Sequence, residues 1–383
     1  MTAWPGRQFG IRRARGHGLT RPMPARHPRI VLHYTGSRWD GSGLHAVIRQ
    51  LAQNPAARAI LGVAPGFRSE KTPRLPVWRG PAVEADRIDP ANLVRSLRVA
   101  WRVRRWLARG AHRVFHGHSR AALLVALWLH LAGERRAVVS VHVYGRRRWF
   151  YRAAKAVLGA RLVWLTPAMK RHYGCADGTW RDCVPNGLAA SLPAEMRRWP
   201  GGRTLRLGGA GMIVRWKRWD LVLDALALLP PGVAVEFFHI GGPVGLAESR
   251  ELATGLRRRT EELGLQARVH WLGWQESSAG LLGQVDAIVV PSDGEPFSMI
   301  ALEALFAGVP VIATRGGGPE DFIREGVNGW LVPAGDAAAL AARIAACADA
   351  AAWAGLRVEP EPLRNFSVPD TLAARWAAIY AAL

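Results

Sequence analysis

The chain has 383 residues, of which 49% are hydrophobic and 21% charged; this excludes a disordered or fibrous protein and exceeds what one compact core usually organises. Lys and Arg total 52 against 29 Asp and Glu, a net charge of +23, and the excess is one-sided: residues 1–200 hold 36 basic and 9 acidic residues, residues 201–383 hold 16 and 20. No apolar run reaches the roughly 20 residues of a membrane-spanning helix, so the chain reads as two globular domains, the first facing an anionic partner: nucleic acid, an acidic membrane or a phosphorylated acceptor.

Residues 1–28 carry Arg12, Arg13, Arg15, Arg21 and Arg26 with no apolar core after them, which reads as a basic tail rather than a secretory signal, with Met23 a second candidate start. Cys175, Cys183 and Cys347 are odd in number, sparse and unpaired at metal-ligand spacing. That argues for a reducing, cytoplasmic setting and no disulfide framework. From there short β-like runs alternate with helix-like runs, the pattern of parallel sheets covered by helices on both faces. Strands are predicted at Arg29–Tyr34, Arg58–Val63, Arg113–His116, Ala137–His142 and Arg161–Leu165, and again at Thr204–Leu207, Val233–Ile240, Arg268–Leu272, Ala287–Val290 and Val309–Ala313. Pro193, Pro200 and the Gly201–Gly202 pair mark residues 188–203 as the linker. The expected organisation is a tail (1–28), an acceptor-side Rossmann-like domain (29–187), the linker (188–203), a donor-binding Rossmann-like domain (204–364) and a C-terminal helix (365–383). Ligands of such sheets bind beyond the carboxyl ends of the strands, in the cleft between the domains.

Two helical segments in the first half bear on membranes. Ala121–Ala132 is apolar but too short to span a bilayer and reads as a buried packing helix. Over Asn92–Val114, Arg95, Arg98, Arg102, Arg105 and Arg109 fall on one helical stripe, with Leu93, Leu97, Ala100, Val103 and Leu107 opposite. This is either a solvated helix face or a surface that lies against anionic headgroups.

The densest chemistry lies in Asp286–Glu320. Glu295 opens a predicted helix, Phe297–Ala307, and Glu303 follows eight residues later. Eight helical residues span about 12 Å, more than the roughly 5–9.5 Å between the paired carboxylates of a glycosidase. The two acids would instead contact opposite ends of an elongated ligand, with its anionic middle at the backbone N–H groups of the helix start. A nucleotide sugar has that shape.

Glu295 and Glu303 in EPFSMIALE, followed by Ala307–Val311 and Gly317-Gly318-Pro319-Glu320, resemble the Glu-x7-Glu signature of retaining glycosyltransferases of the GT-B fold, family 4. Val184–Gly187, Ile240–Gly242, Leu272-Gly273 and Gly326–Val332 agree in order. The resemblance covers nearly all of residues 200–345 and is sparse over the first half. It implies an α/β fold of two doubly wound, Rossmann-like domains facing a central cleft. Glu295 would contact the donor sugar and Glu303 the ribose, with Phe297, Ser298 and Met299 beside them. Ser298 stands where the family often has glycine. Lys217 matches the family lysine that holds the donor pyrophosphate, whereas the family arginine is replaced by Met212, leaving Arg215 as a substitute. His142 matches a family histidine near the reacting centre. Gly317, Gly318 and Glu320 approach the donor in the family, and the terminal helix crosses back to the first domain. The Asp40–Gly43 loop lets Gly41 and Gly43 bring backbone close to a ligand, and His116 and His118 line the acceptor side, with no third metal ligand evident.

The reading is a hexosyltransferase using a nucleotide diphosphate sugar, without metal or other cofactor, acting on a lipid-linked surface glycan of the exopolysaccharide or lipopolysaccharide type. It would be cytoplasmic and peripheral at the inner face of an anionic membrane, with no nucleic-acid partner. The alternative is a transfer-deficient nucleotide-sugar-binding partner protein at the same surface.

Overall fold

The structure, a computed structural model, describes residues 28–37, 43–53, 57–68, 75–83, 89–145, 147–175, 181–188, 192–245, 247–360, 363, 366 and 370–383. The basic tail up to residue 27, and Asp40 and Gly41 of the first glycine loop, lie outside them.

Each half folds around one six-stranded parallel sheet. The first contains β1 (Arg29–Tyr34), β2 (Ala57–Val63), β3 (Val77–Arg79), β4 (Arg113–Gly117), β5 (Ala137–Val141) and β6 (Leu162–Trp164), in the order β3-β2-β1-β4-β5-β6. The second contains β7 (Leu205–Ala210), β8 (Val235–Ile240), β9 (Val269–Trp271), β10 (Ala287–Val290), β11 (Val311–Thr314) and β12 (Gly329–Val332), in the order β12-β11-β10-β7-β8-β9. Numbered within its own half, each sheet has the doubly wound order 3-2-1-4-5-6, whose switch point is where ligands bind. The central strands are short β-branched runs such as AIVV and VIAT, buried throughout, as expected for parallel strands covered on both faces. All ten predicted strands are present. The two that sequence reading missed, β3 and β12, are outer strands that pair with one other strand only, as do the predicted β6 and β9.

The helices are α1 (Gly43–Leu51), α2 (Pro90–Leu107), α3 (Arg120–Leu131), α4 (Arg148–Leu158), α5 (Pro167–Tyr173), α6 (Trp219–Ala227), α7 (Ala247–Glu262), α8 (Ala279–Gln284), α9 (Met299–Phe306), α10 (Ala337–Cys347) and α11 (Asp370–Ala381). Ser119 caps α3 by accepting from the Ala122 N–H at 3.1 Å, and the helix is a buried packing element: Ala121–Ala126 and Leu129 are all covered. Asp89 caps α2 at the Asn92 N–H, 2.8 Å away, with Pro90 at its first position. The predicted reach of this helix to Val114 is corrected: it ends at Leu107, Arg109 lies in the turn that follows, and Val114 belongs to β4.

The linker is packed rather than loose. The Arg197 N–H bonds Gly308 O, its guanidinium reaches Leu282 O at 2.7 Å, and Met196 and Trp199 are buried. Gly308 has φ +73°, and a Cβ there would lie 2.6 Å from Glu195 O, so glycine is required where the linker crosses the second domain. Helix α11 lies on the first sheet, where Trp376 and Tyr380 join Val31, Val114, Val138 and Val163 in one apolar cluster.

Candidate active site

A cavity of about 610 Å³ lies at the facing carboxyl ends of the two sheets. The first domain lines it with Leu44, His118, Arg120, Ser140, His142, Val143 and Asn186, and the second with Gly211, Met212, Trp216, Lys217, Trp274, Glu295–Ile300 and Glu303.

The loops after β7 and β8 meet where only glycine fits. Gly241 has φ +117°, and a Cβ on it would sit 2.0 Å from Gly211 O. Gly211, packed against Gly241 in this way, lines the cavity beside Lys217. Lys217 Nζ lies 2.5 Å from Glu295 Oε2, with only 12% and 8% of the two side chains exposed, and Ser292 donates to the same carboxylate oxygen at 2.9 Å. A buried charge pair of this kind persists when its remaining polar atoms are satisfied, as the Ser292 hydroxyl does here. Glu303, half-buried on α9, accepts from Ser278 Oγ at 2.5 Å. Burial raises its carboxyl pKa, and the Ser278 hydrogen bond opposes that rise.

The start of α9 forms the floor. Ser298 holds φ +70° and accepts from the Ala301 N–H at 3.4 Å. This left-handed conformation gives a physical reason for glycine at this place in the resembling family. Phe297 is anchored against Phe322 and Phe366, each ring 5.7 Å away, and Met299 lines the cavity.

Some expected site residues are not brought to the cavity. Arg215 is 80% exposed and pairs with Glu248 at 3.1 Å. The three-residue 3-10 turn Arg215–Lys217 sends one cation outward and the other inward. Gly317 and Gly318 do not line the cavity. Cβ atoms on them would fall 2.2 Å from Glu295 O and 2.4 Å from Pro296 O, so their role is to let this backbone pack behind the Glu295 loop, where the Gly318 N–H donates to Glu295 O at 2.7 Å. Glu320 folds back on the same turn, accepting from the Gly316 and Gly317 N–H groups. Gly43 starts α1, with Leu44 of that turn at the cavity. His116 is fully buried, held by Tyr380 Oη and Ser140 Oγ, each at 2.8 Å, whereas His118 reaches the cavity wall.

His142, after β5, sits on that wall with Nε2 3.2 Å from His118 Nδ1. Burial lowers its pKa to about 4, so the ring is neutral at physiological pH. Sequence reading missed Arg120, Trp216 and Trp274 on the wall and His33 behind it. His33, His116 and His118 have nitrogens within 4.8 Å of one another, so His33 is the third potential ligand that was not evident from sequence.

Residues 205–350 match the glycosyl transferases group 1 family. The second domain belongs to that family. This group 1 domain includes Lys217, Glu295 and Glu303. Among curated proteins, the lipopolysaccharide core biosynthesis glycosyltransferase LpsE of Rhizobium meliloti is 35% identical over 134 residues, 35% of this chain and 36% of LpsE. The D-inositol 3-phosphate glycosyltransferase of Mycolicibacterium paratuberculosis is 40% identical over 148 residues, 37% of this chain and 32% of that protein. The chain thus spans about a third of the length of these curated relatives. Among solved structures, Anabaena HepE in complex with UDP-glucose superposes with a TM-score of 0.70 at 19% identity, over 93% of this chain and 100% of that one. The lipopolysaccharide outer core galactosyltransferase WaaB gives 0.70 at 16% identity, over 92% and 100%. Beyond the group 1 domain these likenesses show the fold, two Rossmann-like domains in the GT-B arrangement.

Proposed function

We propose that this protein is a retaining glycosyltransferase that moves a hexose from a nucleotide diphosphate sugar to a hydroxyl of a lipid-linked surface glycan. The observation that carries the reading is the two-domain cavity with the Lys217–Glu295 pair and Glu303 on one wall and His142 on the other. The group 1 match over the second domain supports a sugar donor there, and the glycan-related names of LpsE and WaaB support the acceptor class.

In this reading Glu303 holds the ribose, and the pyrophosphate lies at Lys217 and the start of α9, where a cation and the helix N-terminus stabilise the charge that grows on the leaving group. This cationic stabilisation takes the place of a metal ion. Glu295 binds the sugar while its charge is held by Lys217 and Ser292. With that carboxylate so engaged, retention proceeds on the front face: the leaving phosphate oxygen takes the proton of the incoming hydroxyl as the new C–O bond forms. Arg215, turned to solvent, takes no part, and the further cation on the wall is Arg120 from the first domain.

The membrane part of the proposal rests on α2. Val94, Leu97 and Trp101 are 49%, 47% and 58% exposed among the exposed Arg95, Arg98, Arg102, Arg104 and Arg105. Leu97 was expected on the face opposite the arginines; it stands outward among them instead and adds to an apolar and cationic surface suited to anionic headgroups. The proposed setting is the cytoplasmic face of that membrane.

The second reading, a nucleotide-sugar binder without transfer, is favoured by one observation: Met212 lines the cavity where the resembling family has arginine, and Arg215 does not replace it. A panel of nucleotide sugars read by thermal shift and then by product release tests both. A donor that binds the folded protein must raise Tm. Transfer or slow hydrolysis of that donor supports the enzyme, and a Tm rise without either supports the binder.

A further inference from the structure

Behind the cavity wall the first sheet carries an unusual row of imidazoles. His33 of β1 stands opposite His116 of β4 in register, and His118 follows two residues later on the same face. On that face the strands begin with Val31, Val114 and Val138, buried under α11, and end in His33, His116, His118 and Ser140, all buried. His33 Nδ1 lies 3.0 Å from His118 Nε2, and His118 Nδ1 lies 3.2 Å from His142 Nε2. His116 stands outside the row, with both nitrogens taken by Tyr380 and Ser140. Burial pushes the pKa of His33 down to about 3, that of His142 to about 4 and that of His118 well below the usual value.

A neutral imidazole carries one N–H. Two hydrogen bonds joining three neutral rings therefore leave two collective arrangements. In one, His33 Nδ1–H donates to His118 and His118 Nδ1–H donates to His142 Nε2, so His142 holds its proton on Nδ1. In the other every proton is reversed, His142 Nδ1 is bare, and His33 carries its proton on Nε2. Among the described residues neither His33 Nε2 nor His142 Nδ1 has a hydrogen-bond partner, but His33 is only 1% exposed whereas His142 is half-buried on the cavity wall, so an unpaired N–H costs more on His33. The first arrangement is favoured.

We propose that His118, and through it His33, are positioning residues that hold His142 as the Nδ1–H tautomer, a hydrogen-bond donor toward the sugar of a bound nucleotide sugar. The role of the sugar rests on the function proposed above; the tautomer itself does not. A metal ion held by His33, His116 and His118 is the competing use of the same rings. It is disfavoured because the facing nitrogens of His33 and His118 already share a proton, and among the described residues no carboxylate is hydrogen-bonded to any of these rings to offset a buried dication.

The test is nitrogen NMR of the histidine side chains in the full chain, without substrate. The wild type should show His142 protonated on Nδ1 and bare on Nε2. His33→Leu should turn His142 into a mixture of tautomers at unchanged backbone spectrum, and His33→Asn, whose amide N–H can replace Nδ1–H, should restore one tautomer. A His142 protonated on Nε2 in the wild type, a His142 signal indifferent to His33→Leu, or stoichiometric Zn2+ uptake that abolishes the His33 and His118 N–H signals would each overturn the proposal. With the nucleotide sugar that raises Tm most, His33→Leu should lose about tenfold in kcat/KM while its affinity for the free nucleoside diphosphate stays constant, and His33→Asn should recover most of the loss. A locked tautomer in a protein that turns over no nucleotide sugar would reject the transfer reading and leave the lock standing.

Discussion

Lys217 and Glu295 are 2.5 Å apart and nearly covered, and that pairing decides how each can be replaced. Removing one member of a buried pair strands the other and costs about 3–5 kcal/mol, so Glu295→Ala should unfold at clearly lower denaturant than Glu295→Gln, which keeps an acceptor for Lys217 and Ser292; equal midpoints would contradict the pairing. Ser298 presents the opposite case. Its φ of +70° costs a residue with a Cβ about 1 kcal/mol, whereas giving up its cap for glycine loses only a few tenths, so Ser298→Gly should match or exceed wild-type stability, and a loss beyond about 1 kcal/mol would show the strain is absent. That Glu295, Glu303, Lys217 and His142 share one cavity was legible in the sequence because His142 directly follows β5, Lys217 and Glu295 lie on the connections after β7 and β10, and Glu303 stands eight residues beyond Glu295 in α9. Arg215 was expected beside Lys217 and stands outward instead, because side chains two residues apart in a 3-10 turn diverge, which spacing along the chain does not reveal. His33 was missed because its meaning comes from its register against His116, a long-range pairing that no local motif encodes.

At the scale of elements, α2 is the part of the surface least explained by folding alone. Its buried side, with Val99, Val103, Trp106 and Leu107, packs onto the domain, while its outer side mixes Val94, Leu97 and Trp101 with arginines, Arg105 lying over the Trp101 ring at 4.7 Å. Vesicles containing anionic lipid should therefore bind the protein in a salt-sensitive way, and replacing Val94, Leu97 and Trp101 together by Ser should weaken that binding by about tenfold, equivalent to 1.4 kcal/mol. Co-sedimentation that is indifferent to both salt and this triple change would remove the membrane role of α2. Ten of the twelve strands among the described residues were legible because buried parallel strands are continuous β-branched runs. β3 was not, because its three residues are half-exposed to exposed and leave no apolar pattern; β12 is largely buried, but its four residues GWLV open on a glycine and are too short a run to read as a strand. The end of α2 was overrun because the arginine spacing continues past Leu107 although the helix does not.

For the whole molecule, two identical sheet orders facing each other explain why chemistry drawn from both halves of the chain converges on one cavity. The same burial makes the fold acid-sensitive. His33 and His239 have pKa values pushed down to about 3 and His142 to about 4, with His116 and His118 well below the usual value. Below pH 6.5 the unfolded chain takes up protons that the folded chain refuses, so this contribution to stability is whole above pH 6.5 and falls with pH by about 1.4 kcal/mol per unit for each ring, ending for His142 near pH 4. Denaturant midpoints should drop steeply from pH 6.5 to 4.5, and a flat profile would contradict the buried neutral cluster. The net charge of +23 resolves into a strongly basic first half and a nearly balanced second half, so in the proposed function the charge bears on the membrane surface and the cavity on the chemistry. The most direct measurement is turnover of the nucleotide sugar that most raises Tm, by the purified wild type and by Glu295→Gln at equal folded concentration. The account predicts glycosyl transfer or slow donor hydrolysis by the wild type and a loss of about 100-fold or more in Glu295→Gln, in keeping with removal of a charge aimed at the reacting centre; wild-type turnover in the variant would contradict it.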